Sequence, residues 1–170
     1  MPNDPRVTTY LFKDDGSIPN NPGLPLLYYE GVLPSEQRSA GACRELFARH
    51  NWRNSWVNGV YTFHHYHSIT HEVLGITAGK ATLILGGEQG EEVTVQAGDV
   101  IAIPAGVGHF NKNSSRDFEV VGAYPDGMSW DMCYGKPEER PEKIENIKEV
   151  PMPETDPVFG EEGPLLEEWR

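Results

Sequence analysis

The sequence is short of cysteine, of positive charge and of long apolar runs, and each shortage removes a class of protein. Its two cysteines, Cys43 and Cys133, lie far apart with no Cys-x-x-Cys spacing, so no disulfide framework is expected. Lysine and arginine number 14 against 26 acidic residues, a net charge of −12. Such a surface repels nucleic acid and anionic membranes, and no basic stripe or Arg/Lys–aromatic platform offsets it. A nucleic-acid function is therefore set aside, and the acidity, heaviest after residue 135, reads as a solubility feature. No apolar stretch approaches the roughly 20 residues of a membrane span. The first residues, MPNDPRVTTY, show neither a basic nor an apolar leader region, and a cytoplasmic protein is expected. Nucleophile elbows, phosphate-binding glycine loops and nucleotide fingerprints are missing too; GGEQG lacks the helix context that a phosphate loop needs.

What is present suits one folded domain. A chain of 170 residues can bury roughly 70% of its unfolded surface without covalent staples. Its 18 glycines and 14 prolines argue for short segments joined by sharp turns. VTTYLF (7–12) reads as a strand, and the turn-rich KDDGSIPNNPGLPLL after it reads as irregular. Residues 35–50 carry a helix pattern, with Ser35 as cap and Leu46 and Phe47 on the apolar side. From 59 to 124, apolar runs of four to seven residues alternate with turn signals, the pattern of an antiparallel β-sandwich or barrel, with GGEQGEE as a hairpin turn. The barrel is assigned to 51–125, residues 1–50 are an N-terminal arm with a short helix packing on the barrel, and 126–170 is an acidic, proline-rich extension. Val150, Met152, Val158, Phe159, Leu165, Leu166 and Trp169 give that extension apolar anchors.

Chemistry concentrates in FHHYHSITHE (63–72), which holds four of the six histidines. If 60–67 is a strand, Tyr61, Phe63, His65 and His67 share one face, and Thr62, His64 and Tyr66 the other. Two imidazoles two residues apart on one face make a metal-binding pair. Glu72 opens the next strand with Leu74 and Ile76 on its face, and a carboxylate among apolar groups is costly unless it meets a cation. His109, delivered by the turn in IPAGVGH, is the best further ligand. His64 and His71 should point away, His71 serving as a brace if the turn is irregular. His50 ends the predicted helix.

Two stretches carry a family resemblance. GVYTFHHYHSITHEVLGITAG resembles the first cupin motif, with Gly59, His65, His67, Glu72 and Gly79 at its spaced positions. GDVIAIPAGVGHFNKN resembles the second, with Gly98, Pro104, Gly106, His109 and Asn113. The flanks LFKDDGSIPNNP, WRNSWVNG and VPMPETDPVFGEEGPL are similar to uncharacterised bacterial cupins labelled YjlB-like. The resemblance implies an all-β fold: a six-stranded double-stranded β-helix, or jelly-roll barrel, with a metal in its mouth, an N-terminal arm and helix, and an extended C-terminal tail. It also implies a homodimer.

A set of three imidazoles and one carboxylate suits Fe, Mn, Ni, Co, Cu or Zn rather than Mg or Ca. The expected function is a metal-dependent cupin acting on a small polar molecule. Dioxygenation is the first candidate and isomerase or lyase chemistry the next; the alternative is a non-catalytic metal- or ligand-binding cupin. Gly79, Gly98 and Gly106 read as turn glycines, Asn113 as a loop hydrogen-bonder and Phe63 as core packing. Tyr61 and Tyr124 are the candidates for orienting a substrate or supplying a proton, while Trp52, Arg53 and Trp56 form a lid or a dimer contact.

Overall fold

The protein is described by a computed structural model over residues 6–170; residues 1–5 of the expected arm lie outside the described residues. Among the described residues nine strands form two antiparallel sheets. From Glu72 onward, six strands succeed one another in sequence: β4 (Glu72–Ala78), β5 (Lys80–Leu85), β6 (Glu91–Gln96), β7 (Val100–Ile103), β8 (His109–Ser114) and β9 (Glu119–Pro125). They divide three and three, with β7, β4 and β9 adjacent in one sheet and β6, β5 and β8 in the other. This is the jelly-roll, or double-stranded β-helix, arrangement. Three earlier strands, β1 (Arg6–Tyr10), β2 (Leu26–Glu30) and β3 (Trp52–Asn58), widen the first sheet to the order β1-β2-β7-β4-β9-β3.

The two sheets differ because their outer faces differ. In β6, EEVTVQ, only Val93 and Val95 are buried, so polar and apolar residues alternate against solvent. In β4 and β7 nearly every residue is buried, because the first sheet is covered on both faces. Leu74 and Ile76 point inward with Leu83, Leu85, Ile101 and Ile103 to fill the barrel. Val73, Val100, Ala102 and Val121 point outward onto helix α1 (Ala40–Arg49) and onto Leu165 and Trp169 of the C-terminal extension. α1 reaches the sheet through Gly75, where an added Cβ would stand 2.5 Å from Cys43 Sγ and 2.9 Å from the Phe47 ring. Both cysteines are buried and free.

Gly79 is the single residue between β4 and β5, where the chain passes from one sheet to the other. Its φ of +73° and the Ser115 hydroxyl 2.5 Å from an added Cβ leave room for no side chain. The hairpin across GGEQG pairs Leu85 with Glu91, as the turn residues suggest.

Several local expectations are corrected. The cap of α1 is Ser39, which accepts from Ala42 N; Ser35 starts a separate 3-10 turn over Ser35–Gln37. β2 lies at the end of the stretch read as irregular, since Leu26, Leu27 and Tyr29 find buried sites that outweigh the nearby prolines. WRNSWVN is strand β3, an edge strand paired with β9, and not a free lid. Asn113 lies on β8 opposite Thr82, not in a loop. The C-terminal extension folds back on the barrel and carries helices α2 (Glu142–Glu149) and α3 (Pro164–Glu168). Val158, Leu165 and Trp169 anchor it, whereas Met152 and Phe159 are exposed. Asp156 is its polar hub: the buried carboxylate accepts from Tyr29 Oη at 2.8 Å and from the N–H groups of Val158, Phe159 and Leu165. Among the described residues no helix is long and apolar enough to cross a membrane.

Gly75→Ala should lower the unfolding free energy by about 1–3 kcal/mol through overpacking against α1. A chemical-denaturation midpoint unchanged from the parent would refute the close approach of α1 to β4.

Candidate metal centre

His65 and His67 do not lie on the continuous strand expected over 60–67. Residues 59–71 are mostly irregular, with isolated bridges of His65 to His109 and of Tyr66 to Cys133. The predicted parity survives locally because the His65–His109 bridge imposes it. His109 N donates to His65 O at 2.9 Å, His65 N donates to His109 O at 3.3 Å, and the rings lie 4.0 Å apart. Tyr66 points the other way, its hydroxyl donating to Glu139 at 2.9 Å.

The turn at Pro104–Gly106 is held from four sides. Gly106 N donates to His67 O at 2.7 Å, Ala105 N to His71 Nδ1 at 2.8 Å, Asn21 Nδ2 to Ala105 O at 3.1 Å, and Gly108 N to Asn20 Oδ1 at 3.1 Å. Gly106 has a φ of +91°, and an added Cβ would sit 2.5 Å from Asn20 O. The N-terminal arm therefore braces the loop that delivers His109. His71 points away from the cluster as expected, yet it is buried against Trp169. Burial takes its pKa down to about 4, so it accepts as a neutral ring.

One donor atom from each of His65, His67 and His109 lies within 4.8 Å of the others. Glu72, 2% exposed, enters from β4 with Oε1 3.3 Å from Nε2 of both His67 and His109. Each of the three rings has its Nδ1 against a backbone carbonyl: Phe63 O at 3.0 Å for His65, Asp131 O for His67, and Val107 O at 3.2 Å for His109. A carbonyl only accepts, so each Nδ1 carries a hydrogen, and a ring that is neutral presents its Nε2 lone pair to the centre. Neither Glu72 oxygen has a hydrogen-bond donor. A buried carboxylate in this position requires a positive partner, either a metal ion or a proton on one of the imidazoles.

The 3.3 Å separations of Glu72 from His67 and His109 match donors about 2.1 Å from a common ion, which stand about 3.0–3.4 Å apart at right or tetrahedral angles; the group within 4.8 Å is the three histidines without Glu72. With no ion at the centre, a proton on imidazole supplies the positive charge instead. Burial raises the Glu72 pKa, but the imidazoles of His67 and His109 outweigh it and hold the carboxyl well below its usual range. For His67, burial acts downward and the Glu72 charge overcomes it, leaving the pKa raised. Burial and the neighbouring His109 push His65 down to about 2.

The cluster forms the floor of a cavity of about 320 Å³. Tyr61, Tyr124, Trp56 and Leu74 line it with Trp130 and Met132 from the segment after β9. Tyr124 is buried at the floor, and its hydroxyl accepts from Trp56 Nε1 at 2.8 Å. Burial and the Glu72 charge raise its pKa, so it stays a phenol. Tyr61 is 52% exposed at the rim, edge-on to His65. Phe63 is 39% exposed and stacks on Tyr61, so it is not a core residue. His64 stacks on Phe110 away from the cluster, and His50 caps α1 with Nδ1 against Pro157 O. Arg53 is exposed beside Asn51, and Trp52 is buried under the C-terminal extension, donating to Thr155 O.

Sequence reasoning missed the 126–133 segment. Asp131 accepts from Ser68 N at 2.7 Å and from the Ser68 hydroxyl, and is paired with Lys143 at 3.4 Å. It thereby holds its own carbonyl against His67. The only trace in the sequence is the apolar run MSWDMCY inside a polar extension.

The cupin family profile matches residues 52–126, described as Cupin. The uncharacterised protein YjlB of Bacillus subtilis (strain 168) is 47% identical over 161 residues, covering 95% of each chain. Among solved structures, the WlaRB TDP-quinovose 3,4-ketoisomerase of Campylobacter jejuni aligns at TM-score 0.42 and 16% identity, over 50% of this chain and 71% of that one. The acireductone dioxygenase of Bacillus anthracis, with cadmium in its active centre, aligns at TM-score 0.38 and 17% identity, over 66% and 79%.

The Trp56 indole lies across β9 because residue 122 has no side chain: an added Cβ would stand 2.2 Å from the indole ring. Gly122→Ala should displace the indole and break its bond to Tyr124. The Trp56 indole N–H resonance in a 15N–1H spectrum should move away from its hydrogen-bonded position; an unmoved signal would refute the contact.

Proposed function

Because the chain belongs to the cupin family, with a YjlB-like sequence along almost its whole length, we propose that it is a metal-dependent enzyme acting on a small polar molecule. The observation that carries the metal is the buried Glu72 carboxylate, without a donor of its own, facing imidazoles whose Nδ1 hydrogens are committed elsewhere. On this reading His65, His67, Glu72 and His109 hold one divalent transition ion: Fe, Mn, Ni, Co, Cu or Zn. Such an ion supplies Lewis acidity and, where it is redox-active, electron transfer with dioxygen.

The rest falls to the chain's own groups. Tyr124, kept protonated and oriented by Trp56, offers a hydrogen to a bound molecule beside Glu72. Tyr61 offers a second hydroxyl at the rim. The walls of Trp56, Leu74, Trp130 and Met132 limit water around the bound molecule. A cavity with a fixed hydrogen-bond donor beside the ligand cluster favours catalysis over simple binding. Dioxygenation is the first reaction class to test, followed by isomerase and lyase chemistry. A cytoplasmic homodimer completes the proposal, with the outer edges of β1 and β3 available to a second copy.

Three outcomes are expected. Purified protein reconstituted with one ion at a time should hold one metal per chain by elemental analysis, and His109→Ala should lose it; substoichiometric metal with every ion would sink the reading. Metal at about 100 times its Kd should add about 2.7 kcal/mol of stability, raising Tm by roughly 5–10 °C. Asp131→Ala should weaken metal binding about 10- to 100-fold by freeing His67. Oxygen uptake against a metabolite panel then separates the reaction classes, since turnover without oxygen excludes dioxygenation.

A further inference from the structure

The chemistry of the cavity wall restricts what can occupy it. Among the residues lining the cavity there is no lysine or arginine, and Glu72 is the only carboxylate. A metal ion would balance one anionic head. A second carboxylate or a phosphate would be buried without a positive partner, which is strongly unfavourable. The wall is equally poor in free hydrogen-bonding side chains. The Trp56 N–H is already given to Tyr124, leaving Asn58, Tyr61, Tyr124 and the Trp130 N–H. A polyol would leave most of its hydroxyls unpaired.

The wall instead offers flat and polarizable surface. Trp130 stands edge-on to His67 at 5.5 Å, Trp56 and Tyr124 form one side, Tyr61 the rim, and Met132 adds a thioether. Aromatic faces and thioethers favour another ring. The volume of about 320 Å³ is near the lower end of ligand pockets and suits one ring rather than several.

We propose that the ligand is a single-ring, flat, unsaturated molecule with an oxygen donor at one end and at most one negative charge. The oxygen end would lie at the histidine cluster and under Tyr124, the ring between Trp56, Tyr61 and Trp130. The orientation of the oxygen end rests on the metal reading above; the preference for a ring rests on the wall alone.

The test is isothermal titration of zinc-loaded protein with catechol and 3-hydroxy-4-pyranone, against malonate, glucose 6-phosphate and sorbitol. The ring compounds should bind at least 10-fold tighter than the other three. Trp130→Ala should weaken them about 2- to 12-fold while leaving malonate unchanged. Malonate or glucose 6-phosphate binding as tightly as the rings would overturn the proposal, as would an indifferent Trp130→Ala. If zinc content stays substoichiometric, the metal reading fails separately. The ranking is then taken on metal-free protein, where rings should still lead because the wall is the same, and a reversed order overturns the proposal.

Discussion

A carboxylate buried at the end of a strand with no hydrogen-bond donor is the constraint around which this barrel is arranged. Glu72 could be made harmless by a single backbone N–H aimed at it, and no hydrogen bond reaches either oxygen. It supplies three imidazoles, each with its far nitrogen committed to a carbonyl. Leaving the charge without a hydrogen-bond donor costs stability, and keeping three lone pairs beside it costs more. Both costs disappear when a cation takes the centre.

Much of the surrounding structure serves to keep those groups still. His65 and His109 are bridged main chain to main chain, and the Gly106 N–H holds the His67 carbonyl. Asn20, Asn21 and His71 fix the turn ahead of His109. Asp131, tied to Ser68 and Lys143, fixes the carbonyl behind His67. The N-terminal arm and the C-terminal extension each brace one side, so neither is a mere appendage. The extension is in turn locked through Asp156 to Tyr29 of β2 and through Trp169 to the carbonyl of Pro25.

The same economy shapes the mouth. Gly122 lacks a side chain so that Trp56 can cross β9 and reach Tyr124. The first sheet has a helix and the C-terminal residues on its back, which leaves its inner face free to be apolar at depth and aromatic toward the rim. The uncharged wall and the charged floor are thus products of one packing arrangement.

Period-two alternation, turn glycines and two spaced histidine motifs made the barrel and its three-histidine cluster readable from the chain, because those features act over a few residues. Leu74 and Ile76 inside with Glu72, and positive φ at Gly79 and Gly106, arise from local geometry alone. Strand β2, the role of WRNSWVN as an edge strand, the exposure of Phe63 and the return of Asp131 and Trp130 over the mouth were not readable. Each depends on segments distant in sequence: β2 on β7, β3 on β9, Asp131 on Ser68. The sequence determined which side chains could bind together. Only the tertiary structure decided which carbonyls turn the imidazoles inward and which rings wall the space above them, because hydrogen-bond direction and packing between distant segments leave no periodic trace.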